Sequence, residues 1–558
     1  MSNRKVFFVL KININTELRN VLTIVGIIAI GKIQLKKIPI KSLLGLSLLM
    51  NMPLLYEPQL IASYLVSNNL PGVWIAWSGM FSLATGLIFF SGLWEKLPIK
   101  TENDFSLFRY SGWSAQVLVA FRAVFLGVFI IPLIMAQSLV GFASIVSIGF
   151  SIPIEHAYIL VGVLLTCAAL LNDIRKRILA DAITAIVFIV LLGVFCVGLF
   201  IERGSPWSIA AKINSAGFSL DLFPTTSDTF SWVNLFVLLC LQWWLASLCD
   251  LPDMEGQKLL HAPEKKGARQ FMTGILLFMV LQVFLMFIPL YAMGEHAADG
   301  LQTGENLIAV FLQQLNGWVK WSGLIMLLLA FVSLSANYQL WSSSMIIGQL
   351  QKFQVKSLDK KMIFLPRIWM IIFTWLSIYL AIRFESLLGI VRHLFVISAG
   401  VGPVFILRWF WPRINAWSQL TAMLASLIYA FIYHQLQEHS IAFRNVLVAL
   451  KSQFLLNDYS LELILLGTLV SATWIMVTIL TSPVNEAHSK RFFEVLGTHA
   501  KAISKTQWLH WFIACCSFFF IKIGWWALLC GQLISGILFL TIAGLGLLML
   551  AFYIRKRA

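Results

Sequence analysis

The chain has 558 residues, 59% of them hydrophobic and 12% charged, against about a quarter charged in an ordinary soluble domain. A helix that crosses a bilayer takes about 20 apolar residues, and this composition has room for many, which excludes a soluble enzyme and a disordered scaffold. The formal charge of +16 does not point to a nucleic-acid partner, because the basic residues form short clusters between apolar runs, without a basic stripe interleaved with aromatics.

Residues 1–41 read as a cytoplasmic segment. Its only early apolar run, Val6 to Leu10, is too short for the core of a secretion signal. Val21 to Ile30 is apolar but short, and is either a surface helix or a degenerate extra span. Apolar runs then lie at 42–66, 71–94, 114–141, 155–172 and 178–201, a first group of five within residues 42–201. After a polar stretch from Arg203 to Asp228, five more follow at 229–249, 270–294, 318–347, 366–383 and 387–410, within residues 229–410. Residues 411–558 add four peripheral runs at 417–437, 461–481, 508–525 and 528–553, and a short basic tail. Only helices or closed barrels span a bilayer, and these runs lack the period-two alternation of a barrel. The prediction is therefore an all-α polytopic protein of about 14 spans. Basic residues in short loops stay cytoplasmic, and 32 of the 41 Lys and Arg fall in the N-terminal segment and in every second connection. That bias places both termini inside the cell, with the protein in the cell (inner) membrane and the lipid bilayer as its surroundings. The seven Cys have no metal-ligand or redox spacing and read as filler.

An ionisable group inside the membrane costs about 2.5 to 3.5 kcal/mol on insertion scales, so each one needs a partner or a purpose. Glu57 lies in the first run between Pro53 and Pro58, each without an N–H, so the helix is expected to break there and to free backbone carbonyls. Glu57 then serves a solute or ion site, or pairs with Arg122 of the third run. Asp181 follows Arg175-Lys176-Arg177 by four residues and on spacing alone answers those charges. Arg392 and His393 open the tenth run, where a lone His is more often a helix contact than a catalytic group. Gln242-Trp243-Trp244 join an amide to two aromatic faces that suit a polar solute or an interfacial anchor. No GxxxxGK[ST], HExxH or GxSxG is present, so neither ATP-driven pumping nor hydrolysis has its usual signature, and no cofactor is expected.

Several stretches together resemble the sodium:solute symporter family, in particular a bacterial branch of it, from about Gly45 to the end. They are Phe108-Arg109-Tyr110-Ser111-Gly112, Phe121-Arg122-Ala123, Leu179-Ala180-Asp181-Ala182-Ile183 and Gln242-Trp243-Trp244, with a longer one from Leu407 to Ser418 and Leu480-Thr481-Ser482-Pro483. Arg413-Ile414-Asn415-Ala416-Trp417-Ser418 is the most specific. The resemblance implies a LeuT-type core of two inverted five-helix repeats. It also implies a sodium site formed by the carbonyls of Met50 and Pro53, the hydroxyl of Ser335 and the supporting carboxylate of Asp181, oxygen ligands of the kind a hard cation takes. The family usually has two adjacent hydroxyl residues on the eighth helix. Here that pair reads Leu334-Ser335, with Phe331 nearby where a small residue is common, and Ser333 is a poor substitute because i and i+2 lie about 200° apart. Tyr56 stands at a position often acidic in the bacterial branch, one residue before Glu57.

The expected function is cation-coupled symport of a small polar solute by alternating access, with sodium or a proton as the coupling ion and no enzymatic activity. Tyr56, Glu57, Gln242, Trp243 and Trp244 are the candidate solute contacts. The alternative is a transporter-like membrane sensor that binds solute without net transport.

Overall fold

The computed structural model describes residues 43–557 apart from 68, 100, 172–173, 226–229, 248, 252, 261–265, 297–303, 354–363, 385 and 498–502. The N-terminal segment and the question of a span at Val21 to Ile30 lie outside the described residues, as do Lys265 and Lys360 of the loops. Among the described residues there is no strand. Ten helices are long and apolar enough to cross a membrane, and Ile154–Leu170, Trp232–Leu245 and Leu387–Ile397 are shorter apolar helices. With the first run, which is broken, they account for the 14 apolar segments of the sequence. We call these segments spans, in chain order.

Three of the spans are interrupted, and the interruptions position the interior. The first is helical at Leu44–Leu49 and again at Glu57–Val66, with Pro58 in the first turn of the second half. Between the halves Asn51 N donates to Leu48 O at 3.1 Å and Met52 N to Leu49 O at 3.0 Å, so the i→i−4 ladder lapses and the Ser47 carbonyl is left for another donor. The sixth runs over Trp232–Leu245 and is followed, after a non-helical stretch, by the short helix Met254–Leu259. Asp253 caps that helix by accepting from Glu255 N at 3.0 Å. The sequence suggested an interruption of the first span, whereas the sixth was expected to run unbroken over 229–249. The tenth span breaks after Ile397 and resumes at Gly402–Leu407.

The breaks of the sixth and tenth spans fit into each other. Gly400, at φ +81°, donates its N–H to the Leu245 carbonyl at 2.9 Å, and so supplies the acceptor at the sixth-span terminus with a partner. Gly402 passes so close that a Cβ there would strike the carbonyl oxygens of Trp244 and Ser247. Wide π turns occur at Gly86–Phe90, Phe125–Ile130 and Leu238–Gln242. The second of these precedes Pro132, whose missing N–H and ring bulk disrupt the regular ladder.

The motifs that were scattered in sequence converge at one end of the interior. Arg109 donates from Nε to Arg408 O at 2.8 Å and from Nη2 to Trp411 O at 3.1 Å and Ile414 O at 3.2 Å, capping the end of the tenth span. Arg408 meets Asp250 at 2.8 Å through both Nε and Nη2, and Trp409 Nε1 donates to the same carboxylate oxygen at 2.6 Å. Arg122 pairs with Glu102 and donates to Ser106 Oγ at 2.8 Å. Arg122 is thus the partner of Glu102; Glu57 has other partners. The Arg413–Ser418 stretch opens the eleventh span: Asn415 caps its N-terminus by accepting from Ser418 N at 3.0 Å and donates to Thr481 Oγ1 at 2.8 Å. The Leu480–Pro483 motif is therefore its neighbour in space.

Replacing Gly402 by Ala forces a methyl group into backbone, which cannot rotate away, so the substitution should cost about 1–3 kcal/mol. Thermal melting of the purified variant checks this; an unchanged melting temperature would show that the sixth and tenth breaks are not in close contact.

Candidate functional site

A cavity of about 410 Å³ lies where the breaks of the first and sixth spans meet, a size within the range of small-molecule sites. The first span contributes Asn51, Tyr56 and Glu57, the sixth contributes Ser247, Asp253 and Glu255, and the eighth contributes Leu334, Asn337 and Tyr338. Trp77 of the second span, Gln137 of the third, Gln282 of the seventh, Ser398 of the tenth and Lys522 of the thirteenth add to its polar wall.

Glu57 is 3% exposed and is held on one oxygen only. Its Oε1 accepts from Trp77 Nε1 at 2.8 Å, from Lys522 Nζ at 3.2 Å and from Gln282 Nε2. Its Oε2 is buried without a hydrogen-bond partner among the described residues. Lys522 also donates to Gln282 Oε1 and lies 4.9 Å from the centre of the Trp77 ring, a cation–π distance. The cavity wall therefore carries three acidic side chains, Glu57, Asp253 and Glu255, and one lysine, Lys522. Lys522 was not singled out in the sequence. Its signal was nonetheless there, an ionisable residue inside the apolar run 508–525.

A second buried group of charges adjoins the cavity. Asp181, fully buried, accepts from Arg177 Nη2 at 2.6 Å and from Lys258 Nζ at 2.8 Å. It also accepts from Ser47 Oγ at 3.2 Å, from Asn337 Nδ2 at 3.2 Å and from Ser333 Oγ. Arg177 is the one-turn neighbour that the sequence spacing indicated. Lys258, counted in the sequence among loop cations, is instead fully buried on the short helix after the sixth-span break.

The eighth span presents Ser333 and Asn337, four residues apart and hence on one face, to Asp181. Ser335 was the expected hydroxyl, but its Oγ is buried without a hydrogen-bond partner among the described residues. Leu334 lines the cavity, and Phe331 stacks on Phe142 of the third span at a centroid distance of 4.2 Å. Met50 and Pro53 both lie in the first break, where Pro53 also lines the cavity and its carbonyl accepts from Glu57 N at 3.4 Å.

The other sequence candidates stand apart. Gln242 is 1% exposed and fully engaged: its Nε2 donates to Ile75 O at 2.6 Å and Ser78 Oγ at 3.1 Å, and its Oε1 accepts from Tyr459 at 2.9 Å. Trp243 packs on Phe81 and Trp511, and Trp244 Nε1 donates to Cys240 O at 2.7 Å. None of these three lines the cavity, whereas Trp77, Gln282 and Lys522 do. His393 is exposed, bonds to Gly389 O at 2.7 Å and stacks against His434 at 5.9 Å, away from the cavity. Among the described residues no group of three His, Cys, Asp or Glu is placed to hold a metal.

Neither a sequence-family profile nor a curated protein sequence matches the chain. Its fold is that of a solved membrane transporter, a Na+-coupled sialic acid symporter in a substrate-bound outward-open state. The two superpose with a TM-score of 0.56 at 14% identity over 81% of this chain and 92% of the other. Mhp1, a nucleobase-cation-symport-1 family transporter in a closed conformation with bromovinylhydantoin bound, superposes more loosely, at a TM-score of 0.42 and 12% identity over 82% of this chain and 96% of that one. The chain is thus an all-α polytopic membrane protein with the symporter fold.

The Glu57–Lys522 pair is buried, and removing one member leaves the other charge uncompensated. Glu57→Gln should lower stability by roughly 3 kcal/mol, and adding Lys522→Met should restore most of that loss. Melting of the two single variants and the double variant measures the coupling; additive losses would show that the two side chains act independently.

Proposed function

We propose that this protein is a secondary active transporter of the sodium:solute symporter type, which couples cation flow to uptake of a small polar solute that carries a positive group. The observation that carries this reading is the cavity at the meeting of two interrupted spans, with the acidic side chains of Glu57, Asp253 and Glu255 on its wall and the Glu57 Oε2 without a donor. Broken helices at the midplane supply backbone acceptors and dipole ends to solute and ion. The unpartnered Glu57 Oε2 needs a donor, since a buried acceptor without one costs about 1–3 kcal/mol, and a solute ammonium or hydroxyl would supply it. Tyr56, Trp77 and Tyr338 offer aromatic faces suited to a cation. Asn51 and Asn337 line the cavity and also bond into the Asp181 group, so filling the cavity acts directly on the buried charges. Alternating access then follows from movement of the spans that hold the two breaks against the third, eighth and tenth. The symporter fold and the motif resemblance support the same reading, with sodium or a proton as the coupling ion.

A thermal-shift screen of the purified protein with amino acids, polyamines, quaternary ammonium compounds, sugars and simple carboxylates tests it. A ligand at about 100 times its Kd should stabilise the fold by about 2.7 kcal/mol. The hit should carry a cationic group, should be concentrated by proteoliposomes under an imposed ion gradient, and should lose its effect in Glu57→Gln. Stabilisation confined to anions or neutral sugars would contradict the proposed solute class.

A further inference from the structure

Lys258 is the only ammonium in contact with Asp181 among the described residues, and its surroundings are those of a bound cation. Its Nζ donates to Asp181 Oδ2 at 2.8 Å, to Asn51 Oδ1 at 2.7 Å and to the Ser47 carbonyl at 2.9 Å. An ammonium has three N–H donors, and all three are used. The acceptors are a carbonyl freed by the first-span break, an amide oxygen and a carboxylate, the set of oxygens that a hard cation takes. Ser333 Oγ lies on the other oxygen of the same carboxylate. Four elements meet on this one nitrogen or on its partner carboxylate: the first half of the first span, the fifth, the short helix after the sixth-span break and the eighth.

We propose that Lys258 is a built-in cation, whose ammonium occupies the oxygen cage formed by Ser47, Asn51 and Asp181 and excludes sodium from it. Arg177 on the fifth span and Glu255 on the same short helix are the other charged groups near the pair, and with Arg177 already satisfying Asp181 Oδ1 at 2.6 Å the carboxylate has no charge left to offer a second ion. A tethered charge needs no ion gradient to fill the cage, and it ties the two broken spans together whether or not sodium is present. Ion binding at the cage is read without any solute, so a failed solute screen leaves this assignment of Lys258 standing.

The test compares the purified full-length protein with Lys258→Ala in sodium chloride and in choline chloride at equal ionic strength, by thermal melting and by binding of radioactive sodium. The native protein gives the baseline response to sodium, with none bound at this cage. Lys258→Ala should melt lower in choline and should regain stability as sodium is raised, with saturation, because truncation leaves an ion-sized space lined by oxygens. Lys258→Ala with Asp181→Asn, which removes both charges together, should fold and show no sodium effect, and it remains informative if the single variant does not fold. A Lys258→Ala protein that folds and gains no sodium stabilisation over the native protein would overturn the proposal.

Discussion

Everything in this interior depends on what it costs to stop a helix inside a membrane. Each backbone group left without a partner there costs several kcal/mol, since lipid offers no replacement for water. The first span stops after Leu49 and leaves the Ser47 carbonyl, which the Lys258 ammonium takes. The sixth stops after Leu245, whose carbonyl Gly400 takes. The Asp250 carbonyl in the same stretch accepts from Trp94 Nε1 at 2.6 Å, while its carboxylate holds Arg408. The breaks are therefore stable only as a set. Each is completed by a residue from a different span, and the spans that complete them are the ones that line the cavity or adjoin it.

This arrangement accounts for the density of buried charge. Glu57, Glu102, Arg122, Asp181, Asp250, Lys258, Arg408 and Lys522 are all buried and divide into local groups with opposite charges in contact, while the buried Arg109 is held by backbone carbonyls. A buried pair is weak evidence for stability, because desolvation offsets much of the attraction. Its value here is geometric. An ion pair with few alternative partners fixes which spans meet.

The spans were legible in the sequence because bilayer crossing demands long apolar runs, and all 14 runs became helical segments of the fold. The first break was legible because Pro53 and Pro58 bracket an acidic residue. The sixth was not. Its apolar run ends at Cys249, and the helix that follows carries Glu255, Lys258 and other polar residues that read as a loop. Composition cannot show that this polar stretch turns back into the protein, because the reason is three-dimensional: Lys258 is soluble in the interior only where Ser47, Asn51 and Asp181 already wait for it. The eighth span shows the same limit. Helical spacing alone does not show which face of that span meets the fifth, and in the fold Ser333 and Asn337 are the residues that bond Asp181. Lys522 belongs to a peripheral span, so a reading that confined the site to the first ten spans passed over it.

The central claim is that the cavity between the first and sixth breaks opens alternately to the two sides of the membrane. It is tested most directly by placing a single cysteine at Ser398, on the cavity wall, in a variant without the seven native cysteines, and exposing oriented proteoliposomes to a membrane-impermeant thiol reagent from one face at a time. The account predicts modification from either face. Modification from one face only, under every gradient and solute imposed, would contradict alternating access at this cavity.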